Sequence, residues 1–180
     1  SMNNAVGAAR GDWLMFPVAS SQFAPEGLLL LAESAASRDH DVVFADEDHL
    51  ADDGGRHEPI FKAAWSPELI FSGTHPGECV AMRRTTFEAT YGFQIEYDQL
   101  LGPALALRLQ AIVDPARAAH VAAIAYHRAW PQPTEGAGST SVDQMKSAVS
   151  TALNRRALPG QGFQPGFAVR DGLPVHQIYW

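Results

Sequence analysis

A chain of 180 residues, 46% hydrophobic, is long enough to bury one core and is most simply a single domain. Its 13 basic and 20 acidic residues give a formal net charge of -7, which argues against a general nucleic-acid or anionic-membrane surface. Cys79 is the only cysteine, which excludes a disulfide framework and a cysteine-based zinc cluster and points to a cytosol-facing setting.

No stretch approaches the ~20 apolar residues of a membrane span, and the first residues do not read as a signal peptide. Ser1-Met2 resembles a tag remnant ahead of an internal segment. Asn3 to Arg10 is Ala- and Gly-rich and reads as a helix tail closed at Gly11. Trp13 to Phe16 is a short apolar strand between Gly11-Asp12 and Pro17. Pro25 and Glu26 suit the first turn of a helix, which the Leu28 to Leu31 run carries to about Ser37 as a core element. Val42 to Ala45 is the next strand. Strand, helix, strand in this order predicts a right-handed crossover and a parallel sheet.

The strand ends in three acids, Asp46-Glu47-Asp48, followed by a polar turn to His57. Ser66-Pro67-Glu68 is a helix start, with Ser66 as N-cap and Pro67 at the first position. Glu78 to Arg83 reads as a strand, and Thr85 or Thr86 as the cap of a helix to Thr90. Gly102-Pro103 should split the helical segment Glu96 to Gln110, because proline breaks an interior helix. Ala119 to Tyr126 is a strand and Pro131 to Gly138 a linker. Ser141 with Gln144 forms a capping box for a helix to about Arg156. Asp171-Gly172, between apolar runs, signals a terminal hairpin.

Set in order, these blocks resemble a family 2 glycosyltransferase of the GT-A fold over residues 3–160. The most specific block is the strand followed by Asp46-Glu47-Asp48, Gly54, Pro59, Phe61-Lys62 and Trp65-Ser66-Pro67-Glu68-Leu69, with Ala63 where the family usually has proline. Supporting blocks are Asn4 to Trp13, Val80 to Arg84, Ala104 to Arg108 and His120 to Arg128. The implied fold class is α/β: a partial, mainly parallel GT-A sheet flanked by helices, with a C-terminal helix and β-hairpin. Residues 1–130 would form the transferase-like unit, lacking the N-terminal nucleotide-binding half, and residues 131–180 a connector.

The resemblance implies transfer of a sugar from a nucleotide sugar to a glycan acceptor in polysaccharide biosynthesis. Such chemistry needs a divalent ion on the leaving diphosphate and a carboxylate base. The family uses Mg or Mn, held at a position that here falls on Val18, Ala19, Ser20 and Ser21, without a carboxylate; no cofactor is expected in this chain. The family's base pattern, anchored on Arg108, falls on Gly102 and Ala104. Glu96 and Asp98 offer weak alternatives in a second register.

Asp46, Glu47, Asp48, Lys62 and Trp65 would line the sugar or acceptor side. Against this stand an acidic turn for the three acids, a lysine stem covering apolar surface and a core anchor for Trp65. His120 and His127 sit at opposite ends of one strand and read as hydrogen-bonded structural residues. The expectation is a cytoplasmic domain, at most at the inner membrane face, inactive alone, accompanied by further transferase domains or completed by a homodimer. The alternative is a non-catalytic glycan- or protein-binding module.

Overall fold

The computed structural model describes residues 2–18, 21–36, 39–73, 75–97, 101–129, 139–155, 163–170 and 173–178. Its elements run α1 (Met2–Ala8), β1 (Trp13–Met15), β2 (Gln22–Phe23), α2 (Gly27–Ala35), β3 (Val42–Leu50), β4 (Arg56–Ile60), α3 (Pro67–Phe71), β5 (Val80–Arg83), α4 (Arg84–Ala89), α5 (Leu101–Ile112), β6 (Ala118–Ala129), α6 (Ser139–Arg155), β7 (Phe163–Arg170) and β8 (Leu173–Ile178). The α/β class holds.

The main sheet is ordered β1-β5-β3-β6-β2, with β4 also paired to β3. β1, β3 and β6 share one direction, as the crossover through α2 requires. The sheet is nonetheless mixed rather than mainly parallel. β5 lies antiparallel between β1 and β3, β2 and β4 also pair antiparallel, and only β3 with β6 is a parallel pair among the described residues. The interleaved return strand could not be inferred from the order of elements, because pairing of β1 with β5 joins residues far apart in sequence.

Two cores sandwich this sheet. Val42 and Phe44 project to one side, against Ile70 and Phe71 of α3, Phe87 of α4, Leu105 and Leu109 of α5, and Met145 and Val149 of α6. Val43 and Ala45 project to the other, with Leu31 of α2, Cys79, Ala125 and Tyr126. This alternation is the period-2 signature of a strand buried on both faces. Cys79 is a core residue whose thiol burial pushes up to about 12.

Several local expectations are met. Ser66 Oγ accepts the Leu69 amide at 3.3 Å, with Pro67 in the first turn. The second piece of the 96–110 segment is α5, which holds Gly102 and Pro103 in its first turn, where the missing N–H of proline costs no helix bond; residues 98–100, between it and the 3-10 turn at 95–97, lie outside the described residues. Others need correction. The Leu28 to Leu31 run is not all core: Leu31 is buried, whereas Leu28 and Leu29 are 54% and 61% exposed. Helical spacing turns Gly27 and Leu31 to the sheet and the intervening leucines outward. α4 begins at Arg84, with no side-chain cap from a threonine. α6 begins at Ser139, which places Ser141 inside the helix. The hairpin pairs β7 with β8 antiparallel; its Asp171-Gly172 turn and the 131–138 linker lie outside the described residues. No helix among them is long and apolar enough to cross a membrane.

Candidate functional site: the β3 acidic seam

The acids expected just past a strand are part of it. β3 continues through Asp46, Glu47 and Asp48 to Leu50, and all three acids are buried. What extends the strand is pairing on both sides. β4 folds back on it after the 51–55 turn, where Gly54 takes φ +83, a left-handed conformation that suits glycine. On the other side β6 follows it to Ala129. Nine residues of β3 lie opposite twelve of β6, with register shifts at Ala45/Asp46 and Asp46/Glu47. Such bulges bend a strand and re-aim its side chains.

Each acid has its own partners. Asp46 Oδ1 accepts the Lys62 amide at 2.8 Å and lies 2.7 Å from His120 Nε2. An ionised carboxylate only accepts, so His120 donates from Nε2. Asp48 takes Arg56 Nε at 2.6 Å on one oxygen and His127 Nδ1 at 2.5 Å on the other.

Glu47 is the most enclosed. Its Oε2 accepts Lys62 Nζ at 2.8 Å and the amides of Glu78 and Cys79 at 3.1 and 3.2 Å. Arg128 Nη1 stands 3.6 Å from Oε1 and its Nη2 reaches Glu78 at 2.7 Å. Buried charge is tolerated only when paired and hydrogen-bonded in this way. Gly77, at φ +85, closes the loop over the pair: a Cβ there would stand 2.7 Å from Glu47 Oε1 and 2.8 Å from Lys62 Nζ.

Beside the seam is a small aromatic cluster. The His120 ring stacks on Phe44 at 5.1 Å, His75 meets Phe44 edge-on at 5.1 Å, and Trp65 lies 6.0 Å from Phe44 and 6.1 Å from His75. Trp65 Nε1 and His75 Nε2 are buried and have no hydrogen-bond partner among the described residues. Burial, with Lys62 and His120 nearby, lowers the His75 pKa to about 4, so its ring is neutral at pH 7.

The structure thus brings Asp46, Glu47, Asp48, Lys62 and Trp65 into one region. It adds His75, Arg56, Glu78 and Arg128, which the sequence reading did not select. Their only linear hint was the surplus of charge around the apolar strands. Glu96 is exposed on a short 3-10 turn at 95–97; Asp98 lies outside the described residues.

At the position expected for a metal, Val18 donates its amide to Tyr126 Oη at 2.9 Å and Ser21 donates its amide to Val18 O; Ala19 and Ser20 lie outside the described residues. Valine supplies no metal ligand there, and a serine hydroxyl is a poor substitute for a carboxylate. Among the described residues, no three His, Cys, Asp or Glu side chains are grouped to hold an ion. The seam acids face cations and amides, so their donor set does not fit one either.

No family model matches the chain. It is 32% identical over 108 residues to the O-antigen biosynthesis protein RfbC of Myxococcus xanthus, a match spanning 59% of this chain and 8% of that protein. Among solved structures it is similar to S. aureus TarS residues 1–349 in complex with UDP-GlcNAc, with TM-score 0.62 and 14% identity over 84% of this chain and 46% of that one. A further TarS structure gives TM-score 0.62 and 15% identity over 85% of this chain and 27% of that one. The chain thus spans less than half of each of these relatives. With TarS as structural neighbour and an O-antigen biosynthesis protein as relative, the chain carries a partial GT-A-like glycosyltransferase fold.

Proposed function

We propose that the chain is a family 2 glycosyltransferase-like domain of a polysaccharide-biosynthesis protein, working at the cytoplasmic side and inactive in sugar transfer by itself. The observation that carries this reading is the chemistry of the acids. Transfer from a nucleotide sugar requires a metal-holding carboxylate and a free carboxylate base. Here Asp46, Glu47 and Asp48 are buried against Lys62, Arg56, Arg128, His120 and His127. Val18, Gly102 and Ala104 occupy the positions where the family resemblance expects acids. In this reading Asp46, Glu47, Asp48, Lys62 and Trp65 act on an acceptor indirectly, by fixing the strand end and the loop that border it.

Calorimetric titration with UDP-GlcNAc and with a dTDP-sugar, each with Mn, tests the proposal. The expected result is no binding in the micromolar range. Micromolar, Mn-dependent binding would overturn the inactive state and leave the transferase assignment standing. A non-catalytic glycan-binding module is the second reading, favoured by the cations and backbone amides that already engage Asp46, Glu47 and Asp48. Titration with an oligosaccharide acceptor in the absence of nucleotide separates the two.

A further inference from the structure

A second polar feature lies away from the β3 seam and shares no residue with it. α5 and α6 pack through Leu105, Leu109, Met145 and Val149, but beside that contact the helices part around a half-open cleft. Its walls include Gln94, Tyr97, Ala104, Arg108, Thr151 and Arg155. Small side chains dominate the helical walls, so the cleft is not filled from either side.

Arg108 is 8% exposed, and its Nε and Nη1 are buried without a hydrogen-bond partner among the described residues. A guanidinium carries five donors in a fixed fork and does not lose its charge in a protein, so its buried unpaired nitrogens carry a desolvation penalty that a solvated arginine avoids. Burial and the nearby Arg155 charge lower its pKa, whereas Tyr97 and Glu96 act in the other direction. Glu96 itself is exposed on its 3-10 turn, and no described carboxylate hydrogen-bonds Arg108.

The residue one helical turn before Arg108, on the same side of α5, is Ala104. A carboxylate at that position would have met the guanidinium. In its place is a methyl group and open space. Arg108 and Arg155, with Gln94, Tyr97 and Thr151, therefore line a cleft whose described lining residues include no carboxylate.

We propose that the α5–α6 cleft binds a small oxyanion, a phosphate or a carboxylate, with the Arg108 guanidinium as principal ligand and Arg155 as the charge at the mouth. The forked nitrogens match two oxygens of such an ion.

Thermal unfolding of the whole chain with inorganic phosphate, and separately with acetate, tests this at constant ionic strength. A saturable Tm rise of about 3–5 °C with either ion is expected. It should vanish in Arg108→Met, which keeps the packed stem and removes the charge. A second variant supplies the missing partner from within. Ala104→Asp should raise Tm in the absence of added anion and abolish the response to phosphate and acetate. No saturable rise with either ion, or the same rise in Arg108→Met, overturns the proposal. If Arg108→Met does not fold, an undiminished response in Ala104→Asp overturns it.

Discussion

Lys62 Nζ lies 2.8 Å from Glu47 Oε2, and both side chains are almost completely buried, at 3% and 1% exposure. The pair joins β3 to the segment that follows β4. The two amides on Glu47 make the carboxylate's environment independent of water. Removing one partner of such a pair leaves an uncompensated buried charge, which typically costs about 3–5 kcal/mol. Lys62→Met is therefore expected to lose that much in urea unfolding. Glu47→Gln added to Lys62→Met should recover part of the loss, giving a coupling of about 1–3 kcal/mol in a double-mutant cycle. Additive effects would mean that the two charges do not see each other in solution.

His75 makes the same region sensitive to acid. Its pKa falls from 6.5 to about 4 on folding, chiefly through burial. Between those values the unfolded chain binds a proton that the folded chain does not. Stability from this residue is then complete above about pH 6.5, falls as the pH is lowered, and loses nothing further below about 4. At about 1.4 kcal/mol per pKa unit, lowering the pH from 7 to 4.5 should cost roughly 2 kcal/mol through His75. Urea midpoints for the protein and for His75→Phe at both pH values isolate the effect, since the other titrating groups are common to both. Equal pH slopes would refute a neutral buried His75.

How much of this was legible beforehand depends on the range of the interaction. The Ser66-Pro67 helix start is local chemistry and is found where the sequence places it. The acidic run was misleading because a strand normally carries apolar residues where it is buried on both faces. What allows Asp46 to Asp48 to continue β3 is a set of partners from β4, the 75–79 loop and β6, up to 79 positions away. None of these distances has a sequence period. The resemblance to glycosyltransferases read the order of blocks correctly, yet it could not reveal that β5 would run between β1 and β3. It did place Arg108 in a helix without the acid expected at position 104, and Arg108 lies in α5 one turn after Ala104.

Arg84 is the main polar link holding the N-terminal helix. Its guanidinium donates to the carbonyls of Val6, Ala9 and Gly11 at 2.9 to 3.1 Å, groups that a helix end leaves unsatisfied. A cation at a helix C-terminus is also favoured by the dipole. Asn3 adds a two-way bond to the backbone of Phe93. Arg84→Ala should cost about 1.5–3 kcal/mol and should raise amide exchange in residues 2–8 well above that in β3. Unchanged exchange in α1 would show that apolar contact through Val6 alone holds the helix.

Two glycines in helices make opposite predictions for one substitution. Gly27 starts α2 where the helix presses on β6, and a Cβ there would stand 2.2 Å from the Ala125 carbonyl oxygen and 3.1 Å from its carbon. Both neighbours are backbone, so relief requires α2 to move off the sheet, and Leu31 with it. Gly27→Ala should therefore destabilise by about 1–3 kcal/mol, the usual range for forced overpacking. Gly7 lies in exposed α1 with nothing within 4 Å of the added methyl. There alanine removes only the backbone entropy penalty of glycine, so Gly7→Ala should stabilise by up to about 1 kcal/mol. Chemical denaturation of the two single variants decides the matter. A neutral Gly27→Ala would mean that α2 does not seat on β6 this closely. A destabilising Gly7→Ala would mean that α1 is not helical at that residue in solution.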